Sequence, residues 1–140
     1  MKLSRVLCVL FAGVLPVMAT AQTFTAVNRL AVVPLGPGSF EVVETVKTGG
    51  RGYWCAAADY VRRQLGNPRR AQIYVIAPLG PSRTVAGARA VGFTITPDTN
   101  MAQLKPSYSA ATNKLGTNLS VLTSYKYCSD ANPKNQGGDN

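Results

Sequence analysis

The stretch YWCAAADYVRRQL, residues 53–65, decides the fold class because it is the clearest amphipathic helix in the chain. Its apolar side chains recur at helical spacing and share one stripe, which predicts burial of that stripe against the rest of the protein. Asp59 and Arg63 lie four residues apart on the opposite side and can form an ion pair. Gly66 suits the position after the helix, and Pro68 prevents its continuation. The stripe consists of Trp54, Ala57, Ala58, Val61 and Leu65, and Ala56 lies opposite it.

Short runs of β-forming residues flank this helix in pairs, and each pair is separated by a segment rich in proline and glycine. Proline lacks an N–H group and glycine permits positive φ, so we expect both segments to turn rather than to pair. Each pair therefore predicts a β-hairpin. The predicted strands are residues 29–33, 40–46, 73–77 and 89–96, and the predicted turns are residues 34–39 and 78–82.

The remainder of the chain adds one further predicted strand. Residues 117–128 alternate in a pattern that predicts a final strand, and residues 100–104 predict a short helical turn. The fold class is therefore α+β, with one main amphipathic helix packed on a mostly antiparallel sheet of about five strands.

The first 21 residues have the features of a cleavable signal peptide. Lys2 and Arg5 precede an apolar run, and Ala19-Thr20-Ala21 has the small-x-small form that signal peptidase recognises. Cleavage is predicted after Ala21, which leaves a single small α+β domain at 22–128 and a disordered polar tail at 129–140. The short signal is typical of a bacterial protein, so we expect it in the periplasm or the medium.

Two cysteines remain after the predicted cleavage, Cys55 and Cys128. In an oxidising compartment such a pair predicts one disulfide, which here would join the start of the helix to the end of the last strand. The alternative is a reactive thiol at Cys55, near a helix N-terminus and Arg51. No Cys-x-x-Cys motif or histidine accompanies Cys55, so the disulfide is favoured.

The charge of the chain is strongly basic, with 15 Lys and Arg residues against 6 Asp and Glu residues. Without Lys2 and Arg5 the net charge is still +7 by the same count. For an exported protein this favours an anionic envelope component or an acidic protein as partner, and makes nucleic acid unlikely. The alternative is a basic surface that is only solvated. The candidate anion-binding residues are Arg51, Arg62, Arg63, Arg69 and Arg70.

The chain has no histidine, which excludes Ser-His and Cys-His nucleophiles and most zinc sites. No pattern predicts a cofactor or a metal site. A small hydrolase would have to use Glu41 or Asp98, and no acid and base pair is visible, so we expect no catalysis. A modulator or inhibitor of an envelope enzyme is a second alternative, since two exposed Pro-Leu-Gly-Pro loops would suit insertion into a partner.

Residues 48–52, Thr-Gly-Gly-Arg-Gly, precede the helix and lack the Lys-Ser/Thr ending of a phosphate-binding P-loop. Free N–H groups there could hold an anion together with Arg51. The alternative, which we favour, is a flexible turn that lets Trp54 reach the core.

The segment Gly-Tyr-Trp-Cys-Ala-Ala-Ala-Asp-Tyr, residues 52–60, resembles a stretch in a group of uncharacterised small exported proteins of alphaproteobacteria. The likeness covers the helix and the predicted strand at 72–76. It implies an exported small domain with a disulfide, and it carries no functional residues over to this chain.

Overall fold

The computed structural model describes residues 22–130. The predicted signal peptide, and the predicted tail from residue 131 onward, lie outside the described residues. Six strands and three helices follow one another along the chain. In order they are β1 (Phe24–Thr25), β2 (Ala31–Gly36), β3 (Ser39–Val43), α1 (Gly50–Gln64), β4 (Gln72–Pro81), β5 (Arg89–Thr94), α2 (Thr99–Ala102), β6 (Asn118–Ser120) and α3 (Val121–Lys126).

The six strands form one antiparallel sheet in the order β1-β2-β3-β5-β4-β6. The two predicted hairpins are present as β2–β3 and β4–β5, and they join side by side through β3 and β5. The predicted α+β class is confirmed, with one long helix and a sheet of six strands.

The predicted helix is confirmed as α1, which begins three residues earlier than the pattern indicated. It ends where expected: Leu65 N–H donates to the Val61 carbonyl at 3.1 Å, and Gly66 has φ 81°. A positive φ at this position suits glycine because it lacks a Cβ. The predicted polar side of the helix is wrong for Ala56 and Asp59, since every residue from Tyr53 to Val61 is buried, whereas Arg63 is exposed.

The helix is buried on several sides because different parts of the chain pack around it. Its apolar stripe contacts the sheet, where Trp54 meets Phe93 edge-on with 4.9 Å between ring centroids, and Tyr60 meets Phe40 at 4.7 Å. Such aromatic pairs add packing energy beyond the burial of apolar area. The helix α3 and the segment around residue 27 pack on its other sides. Trp54 is fully buried, as expected of a core residue.

The two Pro-Leu-Gly-Pro segments are largely strand, which corrects the prediction that they turn. Pro34 lies in β2 opposite Phe40, and residues 78–81 form the second half of β4. The outer neighbours of these strands are short: β1 pairs with β2 only at Ala31 and Val32, and β6 pairs with β4 only at residues 72–74. Within the described chain, both Pro-Leu-Gly-Pro segments therefore lack a partner strand on one side. Proline is tolerated at such sheet edges.

The predicted final strand is wrong beyond Ser120. There the chain forms α3, and the Ser120 hydroxyl accepts a hydrogen bond from Thr123 N–H at 3.0 Å as a helix cap. Val121 and Ser124 are buried and lie three residues apart, which is the spacing of one side of a helix. The alternating sequence of residues 117–128 that predicted a strand is therefore also compatible with this helix. The predicted turn near residue 100 is confirmed as α2, with Asp98 as its cap.

Candidate functional site

A disulfide joins Cys55 in α1 to Cys128 just after α3, with 4.9 Å between the two Cα atoms. The predicted pairing is therefore confirmed. The chain enters α3 beside the other end of α1, since Val121 N–H donates to the Ala71 carbonyl at 3.0 Å. The short helix thus runs back along α1, and the disulfide holds its end in place.

Two of the candidate arginines stack on aromatic rings at the C-terminal end of the described chain. The Arg62 guanidinium lies 3.7 Å from the centre of the Tyr125 ring, and that of Arg51 lies 5.4 Å from the centre of the Tyr127 ring. Both arginines lie on one side of α1, since eleven residues are close to three full turns. Arg51 also pairs with Asp130 at 3.3 Å, so its charge is already matched.

Arg63 lies at the surface and is held there by a buried carboxylate, since its side chain is 53% exposed and that of its partner Asp59 is 4% exposed. Its guanidinium forms two hydrogen bonds to Asp59, at 2.7 and 3.0 Å, and lies over the Phe24 ring at 4.5 Å. Asp59 also accepts the N–H of Val27 at 2.8 Å. The predicted ion pair is confirmed, and the two hydrogen bonds to Asp59 neutralise the charge of Arg63 locally, so it is a weaker candidate for binding an anion.

Arg69 and Arg70 differ from the other candidates because, although exposed like Arg51 and Arg63, they have no carboxylate or aromatic ring as a partner among residues 22–130. They occupy the turn between α1 and β4, seven and eight residues after Arg62. We call this segment the arginine turn. Lys126 on the exposed side of α3 adds a further cation, since Tyr125 beside it lies under Arg62. We call Arg62, Arg69, Arg70 and Lys126 the basic end. The structure therefore divides the five predicted arginines, and it leaves Arg51 and Arg63 outside this set.

The carboxylates at 41, 44, 59, 98 and 130, which are all those within the described range, have partners inside the fold. Asp59 and Asp130 hold arginines, and Asp98 accepts the N–H of Met101 at 2.8 Å. Glu44 accepts a hydrogen bond from the Tyr53 hydroxyl, and burial together with this bond raises the pKa of Tyr53. No carboxylate of the described residues therefore lies in an ion pair with the basic end.

Glu41 holds the loop between β4 and β5, and sequence reasoning missed this role. Its carboxylate is 2% exposed and accepts four hydrogen bonds from three consecutive residues of the loop. The Ser82 hydroxyl donates at 2.5 Å, Arg83 N–H at 3.1 Å and Thr84 N–H at 3.0 Å, and the Thr84 hydroxyl is the fourth donor. Burial raises the pKa of Glu41, but these hydrogen bonds outweigh it and lower the pKa below its ordinary value.

The loop reaches this carboxylate by folding back over the sheet. Pro81 pairs with Arg89 at the end of the hairpin, whereas Glu41 lies opposite Gly92, three residues further along β5. Gly92 is needed there because a Cβ at this position would lie 2.8 Å from that of Ala77. An ionised carboxylate buried in this way serves structure, since it is already saturated with donors and has no room for a substrate proton. Asp98 shares no partner with it.

Two glycines in the first turn of α1 have a steric role. A Cβ on Gly50 would overlap the backbone oxygen of Ala110, and one on Gly52 would overlap the Thr48 side chain. The first turn of α1 therefore packs closely on neighbouring chain, which corrects the expectation of a flexible turn at residues 50–52, although Trp54 does reach the core.

Other surfaces offer less chemistry. A groove of about 490 Å³ lies between β1 and α1, but its cation is Arg63, which Asp59 neutralises. Residues 22–130 contain no group of three or more Cys, Asp or Glu side chains placed to hold a metal ion. Within the same range no helix is long and apolar enough to span a membrane.

Comparison with known proteins adds no relative: the chain matches no protein-family model, no curated protein and no solved structure.

Proposed function

We propose that this protein is an exported, non-catalytic binding protein that takes an anionic ligand at the basic end. The observation that carries the proposal is that the acidic side chains are paired within the fold while cations at the basic end are not. Every described carboxylate is engaged within the fold, whereas Arg69 and Arg70 are exposed and have no carboxylate partner among the described residues. A cluster of exposed, unneutralised cations produces a local positive potential that attracts and orients anions.

The basic end is also partly preorganised. The Arg62 guanidinium lies over the Tyr125 ring, which restricts its position, and its side chain forms no hydrogen bond with another of the described residues. A planar guanidinium donates to phosphate or carboxylate oxygens in pairs, which suits an anionic polymer or headgroup of the cell envelope. The ligand class is therefore one that presents phosphate, sulfate or carboxylate groups at a surface.

Export is supported by the signal-like residues 1–21 and by the disulfide, because disulfides persist in oxidising compartments. The likeness of residues 52–60 to small exported proteins of alphaproteobacteria favours the same compartment. Detection of the mature N-terminus at Gln22 by mass spectrometry of the periplasmic fraction would test it. A mass that retains residues 1–21 would contradict it.

The binding proposal can be tested with heparin as a soluble polyanion probe, measured by isothermal titration calorimetry at several salt concentrations. The double variant R69Q/R70Q should bind about tenfold or more weakly and depend less steeply on salt, because two cations have been removed. The matched control is K47Q/R83Q, which removes two exposed cations elsewhere in the described chain. Equal losses for both double variants would show that only net charge matters and would overturn the assignment of this surface.

The two alternatives have less support. A hydrolase based on Glu41 or Asp98 would need a carboxylate with room for substrate, and Glu41 is saturated with hydrogen bonds while Asp98 caps α2. A modulator was expected to insert its Pro-Leu-Gly-Pro segments into a partner as loops. These residues lie largely in β2 and β4, so they do not form the protruding loops that this function would need.

A further inference from the structure

We infer that the ligand of the basic end is the surface of an anionic phospholipid bilayer, with Leu122 as an apolar anchor among the cations. This inference rests on the proposed function and narrows it to one chemistry. It depends on side chains of α3, which joins the basic end through Tyr125 and Lys126.

The short helix α3 has a buried side and an exposed side. Val121 and Ser124 are buried, whereas Leu122 and Lys126 are exposed. Leu122 is 57% exposed although it is a large apolar residue, and Lys126 lies four residues later on the same side of the helix. An exposed apolar side chain beside cations suits contact with an anionic membrane surface, where the cations meet headgroups and the apolar group enters the boundary with the acyl chains.

The backbone places this anchor next to the arginine turn. Val121 N–H donates to the Ala71 carbonyl at 3.0 Å, so Arg70 and Leu122 each lie one residue from the same hydrogen bond. Pairing of Gln72 with Ser120 continues this contact into the sheet. Cations and apolar anchor therefore occupy one end of the molecule, even though some fifty residues separate them in the sequence.

The distribution of negative charge permits the approach to an anionic surface. The carboxylate nearest to α3 in sequence among the described residues is Asp130, and it is held by Arg51 at the other end of α1. Tyr125 packs against the core and lies beneath Arg62, so its role at this surface is to hold the guanidinium in place.

Leu122 distinguishes a bilayer from a soluble polyanion. Cations alone would bind a bilayer and a soluble polyanion alike, because both ligands are attracted chiefly through their negative charge. An exposed leucine contributes binding free energy only where other apolar groups remove it from water. The boundary between headgroups and acyl chains provides such groups. The observations therefore favour a membrane surface over a polymer of the envelope.

The test compares vesicles of phosphatidylcholine containing 30% phosphatidylglycerol with vesicles of phosphatidylcholine alone, using cosedimentation of the full mature protein. Binding is expected only to the anionic vesicles. The double variant R69Q/R70Q should lower the partition coefficient by about 30-fold, since each cation near such a surface contributes roughly a factor of five. The variant Leu122→Ser should lower it by about tenfold, and heparin binding should not change.

The matched control for the anchor is Leu115→Ser, because Leu115 is also 57% exposed and lies outside α3. It should leave vesicle binding unchanged. Equal effects of the two leucine variants, or equal binding to both kinds of vesicle, would overturn the membrane inference. Binding to heparin without binding to anionic vesicles would also overturn it while leaving the proposed function standing. Binding to neither probe would refute both. Thermal unfolding of each variant confirms that it is folded.

Discussion

Replacement of Glu41 by Gln gives the sharpest test of how this fold holds its longest hairpin loop. The two carboxylate oxygens have different partners: Oε1 accepts from Ser82 and from both donors of Thr84, whereas Oε2 accepts only from Arg83 N–H. An amide of the same shape can keep its oxygen at the Oε1 position. Its NH₂ group then faces the Arg83 N–H, so one donor is opposed by another donor.

The expected magnitude follows from this asymmetry. Loss of one hydrogen bond, together with loss of charge assistance at the others, should lower the free energy of unfolding by about 2 kcal/mol, since removal of the buried charge offsets part of the loss. The loss should be uneven within the loop. Amide exchange at Arg83 should accelerate by roughly tenfold or more, because about 1.4 kcal/mol corresponds to a factor of ten, whereas exchange at Thr84 should change much less.

Hydrogen exchange followed by NMR measures both amides in one experiment. The control is Glu44→Gln, which alters a carboxylate one residue beyond β3 that contacts Tyr53 and not the loop. It should leave the exchange of Arg83 and Thr84 unchanged. Equal acceleration of both amides in Glu41→Gln, or no acceleration of either, would refute the assignment of one acceptor oxygen to each set of donors.

The same variant predicts a pH dependence with a definite sign. The pKa of Glu41 in the folded protein lies below its ordinary value of 4.5, so the ionised form stabilises the fold. This contribution is fully present above the unfolded pKa and is lost as the pH falls through the folded pKa. The difference in unfolding free energy between the protein and Glu41→Gln should therefore be constant from pH 7 to about 5 and shrink below that. A difference that persists at pH 2 would contradict the role of the charge.

Three further changes probe the frame around the basic end. Replacement of Cys55 and Cys128 by Ala should lower the unfolding free energy by about 4 kcal/mol in denaturant titrations, and reductant should produce the same loss only in the native sequence. Asp59→Asn should cost about 2 kcal/mol, because it removes the charge of a buried carboxylate that accepts hydrogen bonds from Arg63 and from Val27 N–H; a loss under 1 kcal/mol would show that the pair is worth no more than a surface pair. Gly50→Ala should cost more than 2 kcal/mol in thermal unfolding through overlap with a backbone oxygen, whereas Gly49→Ala, with open space around it, should stay within about 1 kcal/mol. Equal costs for the two glycines would refute the steric explanation.

Local features of the chain were predicted well where one physical rule dominates. The helix α1 follows from a repeated apolar stripe with Gly66 and Pro68 after it, and the disulfide follows from two cysteines in a chain with a signal-like start. The Asp59–Arg63 pair follows from their spacing of four. Each of these depends on neighbours in the sequence or on composition, which a sequence displays directly.

Predictions failed where two structures satisfy the same short pattern. Residues 121–126 alternate like a strand, yet they form α3, because Ser120 caps a helix there and the disulfide draws Cys128 back to α1. A serine placed as an N-cap, Ser120, is the signal that could have indicated this helix. Because α3 was predicted as a strand, Leu122 and Lys126 were not recognised as neighbours of the arginine turn.

The sequence by itself determined the α+β class, the long helix, the disulfide and the excess of positive charge. The tertiary structure decided the sheet order, the burial of Glu41 and Asp59, and which cations remain exposed. The reason is that the fate of a charge depends on its nearest groups in space. Arg63 and Arg69 are alike in the sequence, but Asp59 neutralises one, while no described residue pairs with the other.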